Sequence, residues 1–200
     1  MPRPRTHDPD TVLDAAESLA ASGGAAAVTI RAVAAATGVS NGAIYHTFGS
    51  RAELLGRTWI RAARRFLDMQ SEAVAADGDG VEAVIAAAET PAVLAERFPH
   101  SSTLLLTVRR GDLLGGDLPE PVRAELTGLD RALVELMKDL AVRLWDRKDA
   151  RAVDAITLCL VDLPTAVLLH RDRLTDPTAR DQLRAAVRAV LAVGPAPTHR

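Results

Sequence analysis

Residues Thr29–Arg51, TIRAVAAATGVSNGAIYHTFGSR, hold two short helical patterns separated by a glycine, and that spacing leaves few folds open. Val33 and Ala34 fall on one face of the first pattern, and Ile44 and Phe48 of the second can close over them. Gly38 is the break, because a residue without a Cβ accepts the left-handed backbone that ends one helix and redirects the chain. Ser40 then caps the next helix, its hydroxyl oxygen accepting from a free amide of the first turn. Two helices joined this way make a helix-turn-helix, whose second helix is shaped to enter the major groove of DNA.

The rest of the chain must supply a scaffold for that segment. Of the 200 residues, 48% are hydrophobic but only 3% aromatic, so Ala, Leu and Val do the packing and favour helix over strand. The expectation is an all-α chain: an N-terminal three-helix helix-turn-helix domain over 6–66 and a larger C-terminal helical domain over 67–200. No run of about 20 consecutive apolar residues is evident, which argues against a membrane span, and the N-terminus MPRPRTHDPD lacks the apolar stretch of a signal peptide. One cysteine, Cys159, allows no internal disulfide and fits a reducing cytoplasm, where it reads as a small buried hydrophobe. The net charge of −2 is unevenly spread. Residues 1–65 carry eight Arg and five acids, 8 − 5 = +3, and the remainder carries 16 basic and 21 acidic residues, 16 − 21 = −5. A local basic surface is what phosphate contact requires, whatever the global sum.

Local signals set the helix limits. Met1–His7 reads as a flexible arm. Asp8 or Asp10 caps a first helix over about Pro9–Ala21, which Ser22-Gly23-Gly24 ends. Val12, Leu13, Ala16, Leu19 and Ala20 form its apolar stripe. Thr29 caps a second helix, Ile30–Thr37, and the third spans Ser40–Thr47. Ser50 opens a fourth, with Glu53 as the return half of a capping box, and it runs past Gln70 towards Asp77-Gly-Asp-Gly80. Further helices fall near Val81–Ala88, Pro91–Arg97, Ser101–Arg110, Pro119–Arg147, Ala150–Arg171 and Pro177–Val193. Gly111–Pro121 reads as a loop and Pro195–Arg200 as a frayed tail.

The run VTIRAVAAATGVSNGAIYHTFGSRAELL, Val28–Leu55, resembles the TetR family of bacterial regulators. It has the family's Thr at the start of the second helix, the AxxxGVS turn, the G-x-[IL]-Y-x-x-F recognition helix and the [ST]-[KR]-x-x-L-[LF] step that follows. The resemblance implies a two-domain all-α protein that dimerises through its last two long helices and holds a C-terminal pocket whose ligand weakens DNA binding. It departs from the family at Ala43, where Thr or Ser is commoner, and at Thr47, where His, Tyr or Trp is frequent.

Each residue of the segment has a chemical role to offer. Thr29 and Arg31 sit at a helix start, where a hydroxyl and the positive dipole end suit a phosphate. Asn41 can bond adenine N6 and N7 together, Gly42 permits close approach, and Ala43 can meet a thymine methyl. Tyr45 and His46 lie a turn further on, within reach of phosphates, and Arg51 reads as a phosphate clamp. The resemblance supports Arg31, Asn41, Gly42, Ala43, Tyr45, His46 and Arg51 position by position. Ser40 has two readings, cap or contact, and the ring of Tyr45 can face either core or phosphate. Val33, Ile44 and Phe48 belong to the core, while Arg3 and Arg5 offer a basic arm.

For the C-terminal domain, Ile156, Leu160, Leu163, Val167 and Leu168 form an apolar face on the penultimate helix, and Leu183, Val187, Val190 and Leu191 do so on the last. Such faces can pair with a second copy as a four-helix bundle, or build an ordinary intramolecular core. A homodimer places two recognition helices about 34 Å apart, which calls for a palindromic DNA operator. Asp162 interrupts the apolar run before Pro164 and can pair across an interface or line a pocket. Trp59, Phe66, Met69, Phe98, Leu105, Met137 and Trp145 are candidates to line a pocket for a small apolar or amphipathic effector. His7, His46, His100, His170 and His199 have no metal-ligand spacing, and neither a phosphate-binding glycine loop nor a GxSxG elbow is present, so no enzyme, metal or cofactor is expected.

Overall fold

Ala and Leu lose little on entering a helix, and the chain they dominate is helical throughout. The computed structural model describes residues 8–76, 78–114 and 117–197, and every regular element among them is a helix. In chain order these are α1 (Pro9–Ala27), α2 (Ile30–Thr37), α3 (Asn41–Phe48), α4 (Arg51–Ala76), α5 (Gly80–Ala88), α6 (Thr90–Arg97), α7 (Pro99–Thr107), α8 (Arg110–Leu114), α9 (Glu120–Trp145), α10 (Ala150–Leu169) and α11 (Pro177–Val193). The arm Met1–His7, with Arg3 and Arg5, lies outside the described residues.

The helices group into two compact units that are not contiguous in sequence. One holds the chain up to Ala63 together with Pro99–Thr127; the other holds Arg64–Phe98 together with the chain from Gly128 onward. A linear division at 66/67 does not describe this grouping. The pairing that draws 99–127 to the N-terminal helices is α7 lying along α1, and no local signal marks so distant a contact.

In the first unit, α1 also packs on α2, and α2 on α3. Val12, Ala16, Ile30, Val33, Ile44 and Phe48 are buried there. Helix α1 continues to Ala27, but its backbone breaks at the expected place: Gly24 takes φ +68°, which a Cβ would resist. Glu17 is 4% exposed although it carries a charge. Its Oε2 meets the Arg61 guanidinium of α4 at 2.7 Å, and Ser101 of α7 donates its hydroxyl to Oε1. Asp14 approaches the same guanidinium at 2.7 Å. Burial works against the charge on Arg61, but the hydrogen bond and charge of Glu17, reinforced by Asp14, outweigh it and raise the Arg61 pKa. The Trp59 indole donates to the Val108 carbonyl at 3.0 Å, a second tie from α4 to the end of α7. The capping box at Ser50 forms only by half. Ser50 accepts from the Glu53 amide at 3.0 Å, but Glu53 turns its carboxylate to Arg57, one turn on.

In the second unit, α5 packs against α10 and α11 over a core of small and branched side chains. Ile156, Leu160, Leu183 and Val187, expected at a dimer interface, are between 0% and 4% exposed and lie inside this core. Within the single chain these faces are spent on the intramolecular core. Leu163, Val167 and Val190 are partly buried against the same core. Cys159 is buried as expected, and desolvation pushes its thiol up to about 12, far from a reactive thiolate. Helix α10 is long and apolar enough to cross a membrane by length and composition, although Arg151, Asp154 and Asp162 interrupt it, so no unbroken apolar run of that length exists. Its Ile156, Cys159, Leu160 and Leu168 are nevertheless built into the core. Two π-turns, Leu158–Asp162 and Thr165–Leu169, flank Pro164, which has no N–H to return to the preceding turn. Asp162 is exposed. Helix α8 occupies part of the stretch expected as loop, and Ala196 and Pro197 are not frayed: Arg147 donates to the Ala196 carbonyl at 3.1 Å and Arg151 to that of Pro197.

Asp149 caps α10 by accepting from the Arg151 and Ala152 amides, and Arg147 forks onto its carboxylate at 2.7 and 2.9 Å. The Arg147 hydrogen bond is the main cause that holds the Asp149 carboxyl down from 3.8 to about 2. A carboxyl depressed in the folded state stabilises it above the unfolded value, and that contribution is lost as pH falls through the folded one. The cap therefore persists through pH 3.8 and is lost on approaching pH 2. A carbon-detected NMR titration of the Asp149 carboxyl checks this. A midpoint at the ordinary aspartate value would contradict the Arg147 pairing.

Candidate nucleic-acid interface

The helix-turn-helix is set by short-range bonds of the kind its sequence announces. The Thr29 hydroxyl oxygen accepts from the Ala32 amide at 3.0 Å and starts α2. Gly38 ends α2 in the left-handed region at φ +71°. Thr37 holds the turn from inside: its hydroxyl donates to the Val33 carbonyl at 2.8 Å and accepts from the Val39 amide at 3.2 Å. Ser40 starts α3, accepting from the Ala43 amide at 3.2 Å. The cap reading of Ser40 is therefore realised, and its hydroxyl hydrogen still has a donor bond to give.

Burial divides the segment into two faces. Val33 and Ile44 are fully buried, and Phe48 is 3% exposed. Thr29, Arg31, Ser40, Asn41, Gly42, His46 and Arg51 are exposed, and Tyr45 is 53% exposed, so its ring is not part of the core. Ala43 is half-buried, which leaves less of its methyl for a thymine. Thr47 turns its hydroxyl back onto α3, donating to the Ala43 carbonyl at 3.0 Å. Asn41, Gly42, Tyr45 and His46 of α3, and Thr29 and Arg31 at the start of α2, are all free of the packing that occupies Ile44 and Phe48.

Charge on this unit is less available than the composition implies. Arg57 pairs with Glu53 at 2.8 Å and reaches Glu125 at 3.7 Å, and Arg61 is held by Glu17 and Asp14. Arg51 uses its guanidinium internally too, donating to the backbone carbonyls of Val28 and Ala25 at the corner before α2. The spacing of residues gives no sign of this bond, because a long side chain at a helix start reads as a solvent-facing cation. The burial of Glu17 did leave a sign: Leu13, Glu17 and Ala20 share one helix face, so the carboxylate interrupts the apolar stripe.

A family model described as the bacterial regulatory proteins of the tetR family matches residues 12–58. The chain carries a TetR-family domain. That match spans α1 to α3 and the start of α4, the same elements whose caps and faces are described above. Solved structures extend the likeness of fold over the rest of the chain. The TetR-family regulator PfmR from Thermus thermophilus superposes with a TM-score of 0.67 at 22% identity, over 90% of this chain and 97% of that one. A transcriptional regulator from Pseudomonas aeruginosa gives 0.73 at 16% identity, over 92% and 88%. The fatty acid degradation regulator FadR from Bacillus halodurans gives 0.65 at 16% identity, over 92% and 97%. No curated protein matches the sequence. Behind the TetR-family domain the architecture is that of TetR-family regulators, all-α from end to end among the described residues.

The remaining candidates are dispersed. Leu105 belongs to the first unit, and Phe66, Met69, Phe98, Met137 and Trp145 to the second. Met137 is buried in the core and Met69 is 9% exposed, while Trp145 packs against the core from its edge. The Phe98 ring is covered by the Arg65 and Arg97 guanidiniums at 5.1 and 5.6 Å from its centroid. None of these residues lines the groove of about 540 Å³ that opens between α10 and α11, whose walls include Ala155, Leu158, Val190 and Val193. Leu158 and Val161 are each 37% exposed and Val193 is 87% exposed.

Proposed function

We propose that this protein is a sequence-specific DNA-binding regulator that acts in the cytoplasm as a homodimer on a palindromic operator, and that a small apolar or amphipathic effector releases it. Repression is the expected sense of the regulation. DNA binding falls to 6–66, effector binding and dimerisation to 67–200. The observation that carries the reading is the exposed polar face of α3, Asn41, Gly42, Tyr45 and His46, on a helix fixed from behind by Ile44 and Phe48. Asn41 and Gly42 lie at the end that enters the groove. Thr29 and Ser40 keep a hydroxyl hydrogen for a phosphate while their oxygens serve as caps, and Arg31, Tyr45 and His46 flank them.

Dimerisation is supported by the apolar residues that α10 and α11 leave outside the core, Leu158, Val161 and Val193, and by the groove beside them. The effector lowers DNA affinity only if it binds better to a dimer whose recognition helices are wrongly spaced. Its polarity is inferred from the apolar side chains that the second unit offers, Phe66 and Trp145 among them.

Selection from a randomised duplex pool tests the reading. The wild type enriches a palindrome whose half-sites lie about one helical turn apart, and it binds that duplex at least about a thousandfold more tightly than random DNA at equal salt. Equal affinity for both would make it an architectural DNA binder, and no binding would make it an interaction module. Asn41→Ala flattens the preference at one base step of each half-site by about 1–3 kcal/mol and leaves other positions alone. An unchanged base profile would remove Asn41 from the readout.

A further inference from the structure

We propose that Arg51 is a positioning residue, which locks the start of α2 to the start of α4 and so fixes the spacing between the two DNA-facing pieces of the domain. The inference rests on the DNA-binding reading above. Arg51 is the first residue of α4, three residues after α3 ends at Phe48. Its Nε–H donates to the Val28 carbonyl and its Nη2–H to the Ala25 carbonyl. Val28 immediately precedes Thr29, whose hydroxyl starts α2. One planar fork therefore ties the exit of the recognition helix to the corner that presents Thr29 and Arg31. The Val28 side chain is buried in the core, but the backbone of the corner is otherwise held by local bonds, the Val28 amide to Ala25 at 3.3 Å and the Thr29 amide to Ala27 at 3.0 Å, just downstream of the break at Gly23 and Gly24, and the fork adds a direct tie to α4. An ammonium is a point donor on a flexible stem and does not reproduce a rigid two-carbonyl fork, so charge and positioning are separable at this site by one substitution.

The test compares Arg51→Lys and Arg51→Met with the wild type, on the duplex that the wild type selects and on random duplex, across a salt series. If Arg51 positions, both variants lose about tenfold in affinity for the selected duplex, the loss of about two neutral-strength hydrogen bonds shared over a dimer. Random-duplex affinity and the salt slope then stay as in the wild type. If Arg51 instead clamps a phosphate, Arg51→Lys binds like the wild type and Arg51→Met loses about one unit of salt slope on both duplexes. That result, or an equal loss on both duplexes from general unfolding, overturns the proposal. Amide exchange in the free protein gives a reading without DNA: Ala32 and Val33 exchange faster in both variants. Unchanged exchange at these amides overturns the proposal whatever the DNA results. Failure of the wild type to select any duplex, with faster exchange in both variants, would overturn the functional reading and leave the lock standing.

Discussion

Glu17→Leu lowers the stability of the protein by about 3 kcal/mol, the lower end of the range for removing one partner of a buried ion pair. For a chain of this size that is roughly a 10 °C drop in melting temperature. The substitution leaves the Arg61 guanidinium, only 17% exposed, with Asp14 and Asp10, whose own side chains are 67% and 71% exposed and largely in water. It also removes the carboxylate to which the fully buried Ser101 hydroxyl donates. The lower end of the range applies because Asp14 remains, and because Arg61 has a water-facing edge. An ion cluster and a hydrophobic contact of equal size respond differently to a second substitution. If the cost comes from an uncompensated cation, then Glu17→Leu combined with Arg61→Met recovers most of it, since apolar side chains of similar volume replace a buried pair at little cost. Calorimetric melting of the two single variants and the double variant gives the coupling. Additive losses, or a Glu17→Leu protein that melts within about 1–2 °C of the wild type, would show that water reaches the cluster and that α1 is held to α4 and α7 by packing alone.

The second large effect concerns assembly. Leu158→Glu with Val161→Glu converts the proposed dimer to a monomer in sedimentation velocity, with the dissociation constant raised at least about a thousandfold. In an isologous interface each residue appears twice, so the pair brings four carboxylates into one apolar surface, each costing several kcal/mol if it stays desolvated and unpaired. Both positions are 37% exposed in the protomer, so the fold of the single chain is little affected. Far-ultraviolet circular dichroism should match the wild type. Operator affinity falls with the dimer, because one recognition helix reaches one half-site. A double variant that remains dimeric would place the subunit contact elsewhere on the protein.

These two cases show where the sequence is legible and where it is not. The limits of α2 and α11 are as read from the sequence, and α3 begins within one residue of its expected start, because Thr29, Gly38, Ser40 and Gly194 act on their immediate neighbours. Val33, Ile44 and Phe48 could be assigned to the core because two short helices back to back leave them no other place. Periodicity fails on a different question. It finds the apolar face of α10 and α11 but does not say whether the partner is the same chain or a copy of it, and Ile156, Leu160, Leu183 and Val187, expected at an interface, pack in the core of the single chain. Glu17 and Arg51 fail for a third reason. Their partners lie 84 and 44 residues away for Glu17, and 23 and 26 away for Arg51; the break that Glu17 makes in an apolar stripe marks its burial but not its partners, and Arg51 gives no local sign of either.

The two π-turns of α10 have a further meaning for how this chain can change over generations. Each holds roughly one residue more than an α-helical turn of similar rise, and the side chains beyond it keep the facing they would have without that residue. Helix α10 thus stores slack on either side of Pro164. A descendant could lose a residue at Leu158–Asp162, tighten the turn, and keep Leu168 in the core while redrawing which side chains stand outside. The outward surface of this helix is open to revision by single-codon deletions, a kind of change that most core helices cannot survive.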